Sequence, residues 1–306
     1  VAFGVTSYQM AWLKYYYPLE FFVALFNQQP MGFWGVETLK EDAKRHGIRI
    51  FNPDINVSEE ESTIEGHSIR LGIRTVRQIG KSVATKIIKE RNERGIYSSF
   101  GDFMTRTGCL RESVESLIRA GAADSLSDDR RALLWETGLR YRPPSNQLSL
   151  DFPVEQDMPI LEKLTDWELM VGEYKTLNLY PRGHFMEMLR PHLNPNVLSS
   201  KDLKSKKDGQ QVRIAGIVAR PLQHPTSHAY FITVEDEFGF IPLIIWSGIY
   251  QIYKDELREP FLLVEGVISR REGTFNIVVS KATNLKKSEV GCKLSNILKL
   301  PRPMFN

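Results

Sequence analysis

The stretch Ile69–Arg94, IRLGIRTVRQIGKSVATKIIKERNER, constrains this chain more than any other. It opens with an apolar segment carrying Arg70 and Arg74, turns at Gln78-Ile79-Gly80, and continues from Ser82 in a regular helical pattern. In that pattern Val83, Ala84, Ile87 and Ile88 form one apolar face, which leaves Lys81, Lys86, Lys89 and Arg91 to solvent. Gly80 permits a tight turn between helices, and Ser82 stands where a helix cap is expected. The first amide groups of a helix lack intrahelical acceptors, and with the helix dipole they attract an anion. Lys81 stands beside them. A glycine turn also joins ordinary antiparallel helices, so the next segment matters. From Phe100 to Leu126 the plan repeats: a helix, a short turn at Gly108-Cys109, and a helix ending at Ala120-Gly121-Ala122.

Both segments resemble the helix-hairpin-helix, a module that holds nucleic-acid backbone without reading bases. The resemblance implies duplex contacts from Arg74, Ile79, Gly80, Lys81, Ser82 and Lys86. One position departs from the pattern, which usually sets two glycines around the apolar turn residue; here the first is Gln78. A tandem pair suits a clamp on a duplex backbone better than a lone hairpin does.

A chain of 306 residues has room for two or three domains. Its 42% hydrophobic and 25% charged residues are those of a globular protein. The formal net charge of +3 is too small to argue polyanion binding from the total, so basic residues count only where they cluster. Cys109 and Cys292 are far apart, without metal-ligating neighbours, and fit a reducing, cytoplasmic setting. There is no apolar run of membrane-spanning length and no signal-peptide pattern, so no membrane partner is expected.

The chain begins at Val1 inside a helical pattern, as a piece of a longer protein would. Tyr8, Trp12 and Tyr15 fall on one side of it, and Pro18 is placed to start a second helix carrying Phe21, Phe22, Leu25 and Phe26. Aromatic stripes of this kind read as core. Glu37–Gly47 reads as a helix closed by its glycine, Ile48–Phe51 as a short strand, and Glu59-Glu60-Glu61 as a solvated acidic loop.

The segment SYQMAWLKYYYPLEFFVALFN resembles the end of the fingers domain of bacterial DNA polymerase III alpha subunits, the C-family polymerases. DAKRHGIRIFNPDIN, IRLGIRTVRQIGKSVATKIIKERN and SVESLIRAGAADSL then follow in that family's order, and QQPMGFW with DAKRHGIRI resembles its error-prone branch. The resemblance runs from Val1 to about Leu285. It implies the end of the fingers in residues 1–62, tandem helix-hairpin-helix in 63–128, a linker and helical segment in 129–205, a small β-barrel in 206–288 and a tail in 289–306. Replicative members continue into a domain that binds a clamp-loader subunit, whereas this chain stops at KLPRPMFN, as in the error-prone branch.

Within the Pro-rich linker, Gln147-Leu148-Ser149-Leu150-Asp151-Phe152 has the form of a short docking peptide. Gln147 would bond a partner's backbone while Leu150 and Phe152, with Leu148, fill an apolar pocket. It resembles the sliding-clamp-binding hexapeptide of bacterial clamp clients, and it lies in the same interval as theirs in this family. An apolar patch packing onto its own domain is the other reading. Glu162–Leu193 is helical again, and His184, with no nucleophile or acid pair spaced to meet it, reads as a helix-start residue.

Residues 211–285 change to β pattern, with strands at Val212–Val218, Tyr230–Val234 and Phe240–Trp246, a helix near Ile249–Leu257, and strands at Phe261–Ser269 and Phe275–Ser280. Three strands, a helix and two strands is the order of an OB-fold, with Gly216 and Gly266 at its bends. The chain is thus expected to be multidomain: a helical fingers end with tandem helix-hairpin-helix, then a five-stranded β-barrel. OB-folds hold single strands on strands 2–3 and the loops beside them. The candidates are Arg220 and His228 in the first loop, Arg270 and Arg271 in the second, and Tyr230 or Phe231 as a stacking platform. A core aromatic and two solvated arginines is the other reading of those residues.

Two-metal polymerase chemistry needs clustered carboxylates. No strand-borne Asp pair is present, and Asp128-Asp129 reads as a helix cap. The resemblance places the Mg2+-binding aspartates in an upstream palm domain, so no catalytic residue, metal or other cofactor is expected here. Two readings stand. One is a DNA-holding region of a polymerase, with duplex and single-stranded DNA, the sliding clamp and the rest of the polymerase chain as partners. The other is a stand-alone, non-catalytic DNA- or protein-binding accessory module.

Overall fold

The computed structural model describes residues 2–31, 35–141, 161–223, 229–271 and 274–285. The chain divides into two compact units, one made of the chain up to Gln29 with Leu39–Arg182, the other of Pro30–Thr38 with the chain from Gly183.

The first unit begins with helix α1 (Ala2–Tyr16) and helix α2 (Pro18–Asn27), which starts on its proline. Phe22 and Phe26 are buried, but Tyr8, Trp12 and Tyr15 are exposed, contrary to their reading as core. Trp12 meets only its helical neighbours Tyr16 and Tyr17 among the ring pairs of the described residues. Helix α3 (Val36–Arg45) leads to a small sheet of β1 (Arg49–Phe51), β2 (Thr63–Glu65) and β3 (Ser68–Arg70), in which β3 runs parallel to β1 and antiparallel to β2. Only the first of these strands is legible as a strand in the sequence.

A 3-10 turn at Ile73–Thr75 then enters α4 (Lys81–Arg94), followed by α5 (Phe100–Thr107), α6 (Arg111–Arg119), α7 (Arg130–Arg140) and α8 (Asp166–Leu177). Asp129 caps α7 by accepting from the amides of Arg131 and Ala132, as its position in the sequence predicts. Tyr97 lies under α4 and α5, with its hydroxyl donating to Ile87 O at 2.7 Å and the Arg106 guanidinium 4.4 Å from its ring. Burial pushes its phenol up to about 12.

The end of α6 is pinned by a buried ion cluster. The Arg130 guanidinium donates to both Asp124 oxygens at 2.7 and 2.6 Å and to Glu173 Oε1, on α8, at 2.7 Å. Arg182 reaches the same two carboxylates at 3.1 and 3.2 Å. Gly121, at φ +81°, gives this cluster its space, because a Cβ there would overlap the Arg130 guanidinium. Burial holds the Glu173 carboxyl above its ordinary value even with Arg130 and Arg182 drawing it down.

The second unit opens with α9 (Phe185–Leu189), where His184 Nδ1 accepts from Met186 N–H at 3.0 Å; the histidine caps the helix, as the sequence predicts. After β4 (Val197–Leu198) and the single turn α10 (Ser200–Leu203) come β5 (Gln211–Gln223), β6 (Ala229–Asp236) and β7 (Gly239–Trp246). Helix α11 (Ser247–Tyr253) precedes β8 (Phe261–Arg271) and β9 (Thr274–Asn284). The strand order β5-β6-β7-β9-β8 closes through β5–β8 pairing, and β7 and β9 run parallel. This is the OB-fold expected from the sequence, with β4 added parallel to β5. Gly266 sits at a β8–β9 bulge where a Cβ would overlap the Val278 carbonyl oxygen, and at Gly216 one would lie 2.9 Å from Glu235 O. The β6–β7 turn is gathered by Asp236, which accepts from the amides of Ser200, Phe238 and Gly239, while Arg190 grips Glu237 at 2.6 and 2.8 Å.

Breaking one side of the buried cluster should be costly. Arg130→Ala is expected to lower unfolding free energy by about 3–5 kcal/mol in a denaturant titration, because Glu173 keeps a buried charge. The double replacement Arg130→Met with Glu173→Leu should cost far less than that single change. Equal losses would show that the charges are not buried as described.

Candidate nucleic-acid interface

The turn into α4 is built from a buried Ile79 between two residues of unusual role. Gln78 has φ +68°, the left-handed conformation that costs most residues about 1 kcal/mol or more and glycine almost nothing. Its side chain offsets part of that cost, since Gln78 Oε1 accepts from Ser116 Oγ of α6 at 2.8 Å. The departure noted in the sequence thus keeps the turn's geometry and adds a tie between the two hairpins. Gly80 is the residue that precedes the helix, in extended conformation, and no side chain caps the amides that follow it. Ser82 is not the cap its position predicts; it lies inside the first turn, exposed, because α4 already starts at Lys81.

The segment before the turn also differs from a helix. Arg70 belongs to β3, and Arg74 to the 3-10 turn, where its guanidinium meets Glu60 at 3.2 Å and Glu61 at 3.5 Å. Arg91, expected in solvent, is buried and donates to Ile55 O, Ser58 O and Glu59. The run Glu59-Glu60-Glu61 is therefore a set of partners for these guanidinium groups rather than a free acidic loop. The sequence hid this because its partners lie 13 to 32 residues further along.

Lys81 and Lys86 remain exposed, with no ion pair among the described residues. Lys86 projects toward the second hairpin: its Nζ lies 3.9 Å from the place a Gly108 Cβ would take. Beside it burial pushes the Cys109 thiol up, while a Thr107 hydrogen bond and the Lys86 charge draw it down. The next helix, α6, starts after Leu110, again with no side-chain cap. Two uncapped helix starts with a lysine at the first residue of one and another beside the second turn can hold phosphate oxygens.

On the barrel, residues of β6 and β7 alternate between the core and an outer face. Ile232, Val234, Leu243 and Ile245 are buried, whereas Phe231 and Trp246 are 43% and 52% exposed. The register pairs Phe231 with Ile244 and Ala229 with Trp246, which sets both rings on the outer face one diagonal apart. Tyr230 turns inward and stacks on Tyr250, ring centroids 3.9 Å apart. Arg271 is exposed at the end of β8. The Arg270 guanidinium is engaged by the carbonyls of Leu203, Lys204 and Lys206. Arg220 pairs through its backbone with Thr233, its side chain lying outside the described residues together with His228. Gln147, Leu148, Leu150 and Phe152 also lie outside them. Trp246 escapes a reading of the sequence that treats it as a strand end. The burial alternation of β7, once Ile245 is placed inside, is the signal that finds it.

Among the described residues no group of three or more His, Cys, Asp or Glu side chains could hold a metal ion. No helix among them is long and apolar enough to cross a membrane.

Residues 47–133 match the family model described as "Helix-hairpin-helix motif". The error-prone DNA polymerase of Symbiobacterium thermophilum is 30% identical over 92% of this chain and 31% of its own length. That of Nocardia farcinica is 32% identical over 90% of this chain and 25% of its own, and that of Rhodopirellula baltica 29% over 99% and 27%. This chain is related to a region of the error-prone DNA polymerases. It spans about a quarter to a third of the length of these relatives and fits the C-terminal region of a C-family polymerase.

The turn makes its own prediction. Gln78→Ala keeps the left-handed residue and loses the bond to Ser116, and should destabilise by about 1 kcal/mol. Gln78→Gly should be more stable than Gln78→Ala by about 1 kcal/mol, the reverse of the order in a helix interior, as read by thermal or chemical unfolding.

Proposed function

We propose that this chain is a DNA-holding region of a C-family, error-prone-type polymerase. It grips duplex backbone through the tandem hairpins and single strand through the barrel, and docks on the sliding clamp through Gln147–Phe152. The observation that carries the reading is the pair of uncapped helix starts, after Gly80 and Leu110, with Lys81 and Lys86 exposed and unpaired among the described residues. Backbone amides and lysines meet phosphate oxygens without regard to base, which suits an enzyme that moves along any sequence. Of the expected duplex contacts, Gly80, Lys81, Ser82 and Lys86 present themselves to a backbone. Ile79 supports the turn from below, and Arg74 is shared with Glu60 and Glu61.

For the single strand, Phe231 and Trp246 offer two ring faces on the strand 2–3 surface that OB-folds use. The clamp peptide is supported by its sequence, with Pro143, Pro144 and Pro153 discouraging its entry into a helix or sheet. Tethering to a ring would raise the effective concentration of the enzyme at the primer end. Nucleotidyl transfer and its Mg2+ are assigned to carboxylates elsewhere in the longer protein.

Three measurements test these parts. Lys81→Glu with Lys86→Glu should weaken duplex binding equally for all sequences and flatten the log affinity versus log salt slope by about 2; an unchanged slope sinks the hairpin assignment. Phe231→Ala and Trp246→Ala should each weaken oligo-dT binding by about 1–3 kcal/mol, and full affinity in both would remove the stacking platform. A peptide spanning Asn146–Pro153 should bind the bacterial clamp with micromolar affinity, about −8 kcal/mol. Alanine at Gln147, Leu150 and Phe152 should abolish that while leaving duplex binding intact, and calorimetry without heat or competition ends the clamp proposal.

A further inference from the structure

From α10 into the turn before β5 runs the segment Lys201-Asp202-Leu203-Lys204-Ser205-Lys206-Lys207, with four lysines in seven residues. Lys204 and Lys207 are exposed and Lys206 half-buried. Among the described residues Lys204, Lys206 and Lys207 form no ion pair, and the two neighbouring acids, Asp202 and Asp208, leave the segment net positive. Hydrogen bonds from Ser199, then the Arg190 and Lys206 charges, hold the Asp202 carboxyl below its ordinary value. Asp202 is taken by the amide and hydroxyl of Ser199 at 2.9 and 2.7 Å, and Asp208 Oδ1 accepts from the Arg270 amide at 2.7 Å.

One side chain, Arg270, gathers three of the segment's carbonyls. Arg270 Nε donates to Lys206 O at 3.0 Å, and Arg270 Nη2 to Leu203 O and Lys204 O at 2.9 and 3.0 Å. The guanidinium also lies 5.7 Å from the Phe275 ring. Backbone bonds from Gly209 N–H to Ile268 O and from Ile268 N–H to Gln210 O tie the segment's far end to β8. Three carbonyls gathered on one planar fork leave Lys204 and Lys207 exposed, and Arg271, the residue after the fork, is exposed as well.

We propose that Lys204, Lys206 and Lys207 form a phosphate-holding rim of the barrel for the backbone of single-stranded nucleic acid, and that Arg270 is its positioning residue. The inference rests on the single-strand reading of the barrel and adds to it a site outside the strand face. Lysines are compact charges that hold phosphates without regard to base. The β8–β9 connection, which follows Arg271 in the chain, is one of the two that flank the oligonucleotide surface of OB-folds. Arg270 contributes by shaping the loop, since its Nε and Nη2 donors are taken by the three carbonyls.

The test is oligo-dT binding by the whole chain across a salt series. Combining Lys204→Gln, Lys206→Gln and Lys207→Gln should reduce the slope of log affinity against log salt by about 2, with an unchanged melting temperature. The Phe231→Ala/Trp246→Ala double variant should lose affinity with its slope unchanged. Arg270→Lys keeps the charge but cannot reach three carbonyls, so it should lose part of the same slope and lose nothing more in the triple-Gln background. A triple variant with the wild-type slope overturns the rim, and the stacking variant then reports separately whether the barrel reading stands. Wild-type binding by Arg270→Lys overturns the positioning role. Failure of the unaltered chain to bind oligo-dT overturns both readings.

Discussion

The second hairpin closes around buried Arg130, whose guanidinium donates to Asp124, to Glu173 Oε1 and to the Arg119 carbonyl together. Without it, the carboxylate of Glu173 on α8 would be left in a place that water does not reach, paired only with the half-exposed Arg182. The same guanidinium excludes any side chain at position 121, so the glycine ending α6 is required by the cluster as much as by its positive φ. Asn52 Nδ2 and the Ile55 amide then donate to the carbonyls of Ala120 and Ala122, which carries the order of the cluster into the segment after β1. A buried ionic centre is not a cheap source of stability, but it admits few arrangements, and here it determines where α6 ends relative to α8.

The first hairpin is arranged on the same principle with different residues. Arg91 is buried against Ile55 O, Ser58 O and Glu59, and Arg74 is held by Glu60 and Glu61, so that the loop before β2 is stitched to α4 and the turn before it. These pairings draw two of the basic groups inward or into ion pairs, whereas Lys81 and Lys86 stay exposed with no ion pair among the described residues. The surface charge of the hairpin is thus selected by which cations the fold has already used. Gln78 shows a related economy, joining a glycine-like backbone to a side-chain bond that bridges to α6.

In the barrel, strand alternation does the sorting. Buried Ile232, Val234, Leu243 and Ile245 require their neighbours Phe231 and Trp246 to face outward, and the inward Tyr230 finds Tyr250 as a stacking partner. Arginine 270 shows the opposite outcome, where a residue that looks like a surface contact is consumed by backbone carbonyls of a loop over 60 residues earlier in the chain.

The amino-acid sequence by itself determined the features that depend on neighbours a few residues apart. These were the helix read from Ser82 to Arg94, one residue short at its start, the glycine-turned second hairpin, the Asp129 and His184 caps, and the strand-strand-strand-helix-strand-strand order that makes the OB-fold. Each follows from periodicity, capping chemistry or turn preference, which act locally. Only the tertiary structure decided which charges and rings remain available. Arg91 and Arg270 were spent on distant carbonyls, Glu59 to Glu61 on arginines, and Tyr230 on Tyr250, while Tyr8, Trp12 and Tyr15 stayed exposed. The physical reason is that hydrogen-bond and ion-pair partners are chosen by proximity in space, and a local pattern records that a side chain is polar or apolar but not what it will meet.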